Sequence, residues 1–367
     1  MAKPGLDLGT CAGILKEKCS HHGWALCIGA GASLPIFPSW ENLIVSLLVR
    51  QAGKRKGPSL AVRLQKQFSP DAVIEACAHM SGRTQKSFSR LLSKELYGKL
   101  IAASSAPEWT LIRKALAADS PGDLQEDEWH QFRDLLLKQF PNLSSHSLAR
   151  MIVQARHEGY APSAILSFNA EPLLYALILA EQVFQKAWER GANEEGAKWY
   201  KAPERSMDRI TQSITYRKPG RIPYFHCHGL LPVPDTRTRW GDGILDKLVF
   251  SESEYLQLAN SNFSWQSGVF MDVCSFRSVL FIGVSLSDPN MRRWLSWIHS
   301  NRKNELRHAG QPRVDSTNHY WINKRPDDAN EKAWIESAVA HLGVRLIWLD
   351  AWDELGDALQ LLLRIRF

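Results

Sequence analysis

Two stretches of the chain, Trp24-Ala-Leu-Cys-Ile28 and Ser278-Val-Leu-Phe-Ile282, are short continuous apolar runs that end at a glycine, Gly29 and Gly283. Such runs mark strands buried on both faces, because a strand with one wet face alternates apolar and polar residues. Ala164 to Phe168, Tyr224 to Cys227, His319 to Ile322 and Val344 to Trp348 read the same way. Between them the period lengthens to that of a helix. Ser39-Trp40-Glu41-Asn42 has the form of a helix start, and Leu43, Ile44, Leu47 and Leu48 follow on one side. Further helices are expected from Pro172 to Arg190, Ser251 to Phe276, Asp288 to Ser300, Asn330 to Leu342 and from Ala351 onward. From Ser59 to Glu158 the pattern is helical throughout, with Leu60, Leu64 and Phe68, then Phe88, Leu91, Leu92 and Leu96, then Phe132, Leu135, Leu136 and Phe140 on successive faces. Asp119 to Gly122 reads as a break within it. Strands alternating with helices predict an α/β fold, a doubly wound parallel (Rossmann-like) sheet covered on both faces, with an all-helical insertion. The expected division is residues 1–58 and 159–367 for the sheet domain and 59–158 for the insertion.

Composition narrows the class. A chain of 367 residues with 44% apolar and 23% charged residues is globular and long enough for one large or two modest domains. No apolar run approaches the ~20 residues of a membrane-spanning helix, and the first fifteen residues do not read as a secretory signal, so a cytoplasmic protein without membrane contact is expected. The formal charge of +7 is modest. Lys54-Arg55-Lys56, Arg217-Lys218 with Arg221, and Arg302-Lys303 with Arg307 and His308 are short basic stretches that suit solvated faces, and they leave nucleic acid as a possibility without indicating it. The six cysteines contain no C-x-x-C pair and the histidines show no ligand spacing, so no metal is expected and the thiols read as reduced.

In an open parallel sheet ligands bind beyond the carboxyl ends of the strands. Four such ends are polar here: Gly29-Ala30-Gly31-Ala32-Ser33, Ser167-Phe168-Asn169-Ala170-Glu171, His226-Cys227-His228-Gly229 and Gly283-Val284-Ser285-Leu286-Ser287-Asp288. Glycines after a strand let backbone N–H groups approach a phosphate, yet the dinucleotide fingerprint G-x-G-x-x-G fails at Leu34, and G-x-G by itself equally describes a tight turn.

Taken together and in order, Gly-Ala-Gly-Ala-Ser with Pro38-x-Trp40-x-x-Leu43, Ser-Phe-Asn, His228-Gly229 and Gly-x-Ser-Leu-Ser-Asp resemble the sirtuin-like superfamily, in particular its zinc-free bacterial branch. The resemblance covers residues 10–55 and 160–365 and leaves the helical insertion uncovered. It implies NAD as substrate, with hydrolysis to nicotinamide and ADP-ribose by a defence-associated NAD glycohydrolase of the kind that depletes NAD in an activated assembly. It assigns Asn169 and His228 to catalysis, Asn169 positioning the ribose or the attacking water and His228 as general base. Gly29, Ala30, Gly31 and Ser33 would line the phosphates and ribose, and Gly283, Ser285 and Asp288 the adenosine side. The family's Tyr and Asp after the Asn are Ala170 and Glu171 here and its Thr is Ser167; Glu171 is counted with the cofactor-binding positions. The partners implied are NAD, further copies of the chain in a homo-oligomer, and a separately encoded protein such as a HerA-type ATPase or an Argonaute-like protein.

The same residues have plainer readings. Asn169 suits a turn or helix cap, Asp288-Pro289 a helix start, His228 a buried structural imidazole, and Trp40 and Leu43 ordinary packing. His226 is either an orienting partner of His228 or simply buried. Rival functions are a sirtuin-type deacylase or ADP-ribosyltransferase, and a module that binds NAD or ADP-ribose without turnover.

Overall fold

The structure is a computed structural model and describes residues 4–192, 203–212, 218–234, 249, 252–254, 264–311 and 314–365. After a 3-10 turn at Leu8–Thr10, the chain runs through α1 (Ile14–His21), β1 (Trp24–Ile28), a 3-10 turn at Ala30–Ser33 and α2 (Trp40–Ala52). A helical stretch follows: α3 (Gly57–Gln65), α4 (Pro70–Met80), α5 (Gln85–Leu96), α6 (Gly98–Ala103), α7 (Ala106–Ala117), α8 (Glu126–Gln139) and α9 (Ser144–His157). The break expected at Asp119 to Gly122 is the 3-10 turn Pro121–Asp123 between α7 and α8. Then come β2 (Ile165–Ser167), α10 (Leu173–Ala192), β3 (Met207–Ile210), β4 (Ile222–His226), α11 (Trp265–Phe276) and β5 (Ser278–Ile282). The chain ends with α12 (Pro289–His308), β6 (His319–Lys324), α13 (Ala329–Ala340), β7 (Val344–Leu349) and α14 (Leu355–Leu363). Of the helix expected from Ser251, the described part is α11 and three helical residues at 252–254; Ser251 and residues 255–263 lie outside the described residues, as does Arg217 of the second basic stretch.

The seven strands form one sheet in the order β3-β4-β2-β1-β5-β6-β7. The pairs β3/β4, β1/β5, β5/β6 and β6/β7 are parallel. Strands β1 and β5 are buried at every position, which accounts for their unbroken apolar sequence. The fold class expected from the period of the sequence is therefore the one observed, a Rossmann-like α/β sheet flanked by helices.

The chain divides into two compact units. One comprises Met1–Ala32, Arg150–Leu166 and Phe263–Phe367; the other comprises Ser33–Ala149 and Ser167–Asn262. Helices α3 to α8 thus share a unit with β3, β4 and α10. All six cysteines are free thiols, five of them buried. No helix among the described residues is long and apolar enough to cross a membrane.

Two elements escaped the sequence reading, α1 and β3. Strand β3 reads Met-Asp-Arg-Ile, so half of its residues are charged although all four are buried. Each charge has partners. Asp208 accepts from the Lys218 amide at 2.7 Å and from Arg221 at 3.0 Å. Arg209 donates to the Ala118 carbonyl at 3.0 Å, lies 3.5 Å from Asp119 and stacks 4.0 Å over the Tyr175 ring. Burial of a charge is tolerated when it is paired in this way.

Candidate functional site

The first unit holds the glycine turn after β1 and the loop after β5. Gly29 N–H donates to Ile282 O at 3.1 Å, Gly31 N–H to Gly283 O at 2.9 Å and Ala32 N–H to Gly29 O at 3.0 Å. A Cβ on Gly29 would stand 2.6 Å from Gly283 O, and one on Gly31 2.8 Å from Gly283 Cα. Gly283 has φ of 66°, and a Cβ there would collide with the Ala32 amide nitrogen. The three glycines are thus required by close approach of two backbones, and three of the turn's N–H groups are already engaged. Downstream, the Ser285 and Ser287 hydroxyls share a hydrogen bond of 2.6 Å, and Asp288 caps α12 by accepting from Asn290 N–H at 2.7 Å and Met291 N–H at 3.2 Å. Asp288 thus serves as the N-cap with Pro289 behind it, and Ser285 is satisfied within its own loop.

The second unit holds Ser33, Asn169, Glu171, His226 and His228. Strand β2 ends at Ser167, and the chain enters α10 at Leu173, so the short segment between carries its side chains on a tight turn. The Asn169 N–H donates to Ser167 Oγ at 3.3 Å. Asn169 Nδ2 donates to Ser33 Oγ at 3.0 Å and to Glu171 Oε1 at 2.9 Å, and Ser33 Oγ donates to the same carboxylate oxygen at 2.5 Å. The other carboxylate oxygen accepts from Leu173 N–H, the first residue of α10, at 2.5 Å. Ser33, Asn169 and Glu171 are only 1%, 4% and 4% exposed.

This arrangement fixes the amide orientation. Turning Asn169 over would set its carbonyl oxygen against the carboxylate, so Nδ2 faces Glu171 and Oδ1 faces away. Oδ1 is buried and accepts no hydrogen bond from the described residues. Burial raises the Glu171 pKa above the usual carboxylate range, opposed by the hydrogen bonds from Ser33, Leu173 and Asn169. The positive end of α10 also favours the anion.

Strand β4 ends at His226, and the turn that follows carries His228. His228 is 5% exposed, and its ring meets the Phe168 ring edge-on at 4.8 Å and 87°. It therefore lies next to the residue that precedes Asn169. The loop beyond it is tied to the same turn, since Leu231 N–H donates to Ala170 O at 2.8 Å. His226 is fully buried and packs against Tyr224 at 5.0 Å; burial and the nearby Arg209 charge hold its pKa well below the ordinary imidazole value, opposed by the Asn169 backbone.

Sequence reasoning did not find the groups beneath this turn. Tyr97 and Tyr224 are wholly buried, both feel the Glu171 and Arg209 charges, and burial raises both phenol pKa values. Arg209 was hidden by its place in a strand too polar to be recognised, and Tyr97 comes from the helical stretch, where a lone tyrosine carries no motif.

Among the described residues no group of three or more His, Cys, Asp or Glu side chains is arranged to hold a metal ion. No curated protein matches the chain. Residues 179–347 match the model of a SIR2-like domain. The matched span runs from within α10 into β7 and includes His228, Gly283, Ser285 and Asp288, whereas Gly29 to Ser33, Asn169 and Glu171 precede it. Over that span, somewhat under half of the chain, the protein is similar to SIR2-like domains, which supports a sirtuin-like family and NAD-related activity in general.

Proposed function

We propose that the protein cleaves the bond between nicotinamide and ribose in NAD, releasing nicotinamide and ADP-ribose. The observation that carries this reading is Asn169, whose amide nitrogen is anchored twice while its buried Oδ1 accepts nothing from the described residues. A buried acceptor left without a partner costs about 1–3 kcal/mol, so its retention favours a ligand hydroxyl or a water molecule as its partner. NAD fits this requirement, because its ribose hydroxyls are donors.

Cleavage passes through an oxocarbenium-like state at the anomeric carbon. The C–N bond breaks with its electron pair leaving on nicotinamide, which departs neutral, and water adds to the carbon with loss of a proton. In this reading Asn169 Oδ1 holds the ribose hydroxyl or the attacking water. His228 accepts the proton as a neutral imidazole, its ring plane set by Phe168. Ser33 and Glu171 act through Asn169 by fixing its amide. Residues 1–58 and 159–367 would be the NAD-binding domain and 59–158 an insertion that serves it. Unregulated hydrolysis would drain a cell's NAD, so we place the activity in a triggered assembly, with further copies of the chain or a separately encoded ATPase as the trigger and host defence as the use.

The test is nicotinamide release from NAD by the purified chain beside Asn169→Ala and His228→Ala, each checked for folding. The expected outcome is turnover by the wild type and a loss of about 10²-fold or more in either variant. A second reading, binding without turnover, is favoured by one observation: Ser33 and Glu171 are committed to each other. NAD binding with no nicotinamide release, at any protein concentration tried, would select it.

A further inference from the structure

Three residues at the corner between α5 and α6 reach the two loops on which the proposed chemistry depends. Ser93, 2% exposed on the last turn of α5, donates its hydroxyl to Pro232 O at 2.5 Å. Pro232 follows Leu231, whose N–H is bonded to Ala170 O, so the contact lies one residue from a direct link to the residue after Asn169. Pro232 is also four residues beyond His228. At the other end of the corner, Lys99 Nζ donates to Pro35 O at 2.6 Å. Pro35 belongs to the loop that follows Ser33, in which Ile36 and Phe37 return their N–H groups to Ser33 O at 3.0 and 3.2 Å. Between these two contacts stands Tyr97, fully buried, its ring edge-on to Phe37 at 5.2 Å and backed by Trp109 at 6.4 Å. Ser93 and Tyr97 are four residues apart, which places them on one face where the helix turns into α6.

We propose that Ser93, Tyr97 and Lys99 are positioning residues, and that this corner of the helical stretch holds the loop after Ser33 and the loop after His228 in register with each other. Among the described residues Pro35 O and Pro232 O lie in loops outside any strand or helix, where a side-chain donor helps to decide where a carbonyl sits. Both donors and the aromatic contact come from the single short segment Ser93 to Lys99, so a displacement of that segment moves both loops together. The helical stretch then acts on the site through Ser33 and through the Leu231–Ala170 link, without touching the reacting atoms. This inference rests on the proposed NAD reading for its catalytic consequence and on the contacts alone for its structural one.

The experiment measures amide hydrogen exchange and nicotinamide release on the full chain for the wild type, Ser93→Ala, Lys99→Met and the double variant. Lys114→Met, which breaks a surface ion pair with Glu128 elsewhere in the helical stretch, is the control. Faster exchange at Ile36 and Phe37 is expected in Lys99→Met, and at Leu231 in Ser93→Ala, with strands β6 and β7 unchanged. The kinetic effects are expected to separate. Ser93→Ala lowers kcat, Lys99→Met raises KM for NAD, and each changes kcat/KM about tenfold, because small misplacements of reacting groups are costly. Exchange no faster than in Lys114→Met, or faster everywhere alike, would overturn the proposal. If the wild type releases no nicotinamide while the local exchange changes appear, the positioning role stands and the NAD reading falls. Turnover with unaltered loop exchange would do the opposite, sparing the NAD reading and removing the positioning role.

Discussion

The turn after β1 and the turn after β2 both follow buried strands, and both carry sequence features that suggest a ligand site, yet they are built for different reasons. In the first, both glycines are accounted for by the chain itself: Gly29 and Gly31, with Gly283 facing them from the loop after β5, let two backbones approach where a Cβ would collide, and the N–H groups of Gly29, Gly31 and Ala32 close on neighbouring carbonyls. In the second, Glu171, with Ser33 reaching it from the end of the first, anchors the amide nitrogen of Asn169, while the buried Oδ1 accepts nothing from the described residues. A glycine motif can record crowding of the backbone as well as room for a phosphate. A buried amide with one end anchored and the other unused is more discriminating, because desolvating that acceptor has an unfavourable free energy that packing does not repay.

Gly283→Ala, in the loop after β5, should break the packing of that loop against the first turn. The residue has positive φ and no space for a Cβ, and strain and overpacking together predict a loss of about 3 kcal/mol or more, read by urea unfolding without any ligand. Stability within about 0.5 kcal/mol of the wild type would refute the crowding explanation. Glu171→Gln probes the second turn more gently. It keeps the shape but weakens the hold on Asn169 and Ser33, so turnover should fall about tenfold while the fold persists. It should also change the response to acid. A carboxyl whose folded pKa is raised takes up its proton in the folded state first, so its contribution to stability grows as pH falls from the raised value toward the ordinary carboxylate value, and then levels off. The Gln variant should lack this increment when unfolding is compared between neutral and mildly acidic buffer. The smallest effect is expected from Asp288→Ala, a loss of about 1 kcal/mol for a missing helix cap, restored by Asp288→Ser. A rise in KM for NAD that Ser does not restore would show Asp288 to be more than a cap.

Much of the sheet was legible because its strands are buried on both faces and read as apolar runs closed by glycine or a polar end. Four polar strand ends stood out in the sequence; the structure sets Phe168, which precedes Asn169, against His228, and packs the turn after β1 against the loop after β5. What could not be read was the support. Arg209 belongs to a strand whose charges are paired by residues from the end of α7, from α10 and from the turn before β4, and no local pattern announces such long-range pairing. Ser93 sits in a helix whose apolar face is indistinguishable from that of any other packed helix, and Tyr97 at the corner just beyond it. The engagement of the Gly29 and Gly31 N–H groups was equally invisible, because it depends on β5 arriving much later in the chain as the neighbour of β1.

Among the described residues strand β3 stands at one end of the sheet, and the end of a sheet is where a further strand ordinarily adds on. Its two inner charges are held by partners that a newcomer could not keep in place. A strand added at that border would have to displace the groups that pair Asp208 and Arg209, and two buried charges without partners would set a steep free-energy barrier against it.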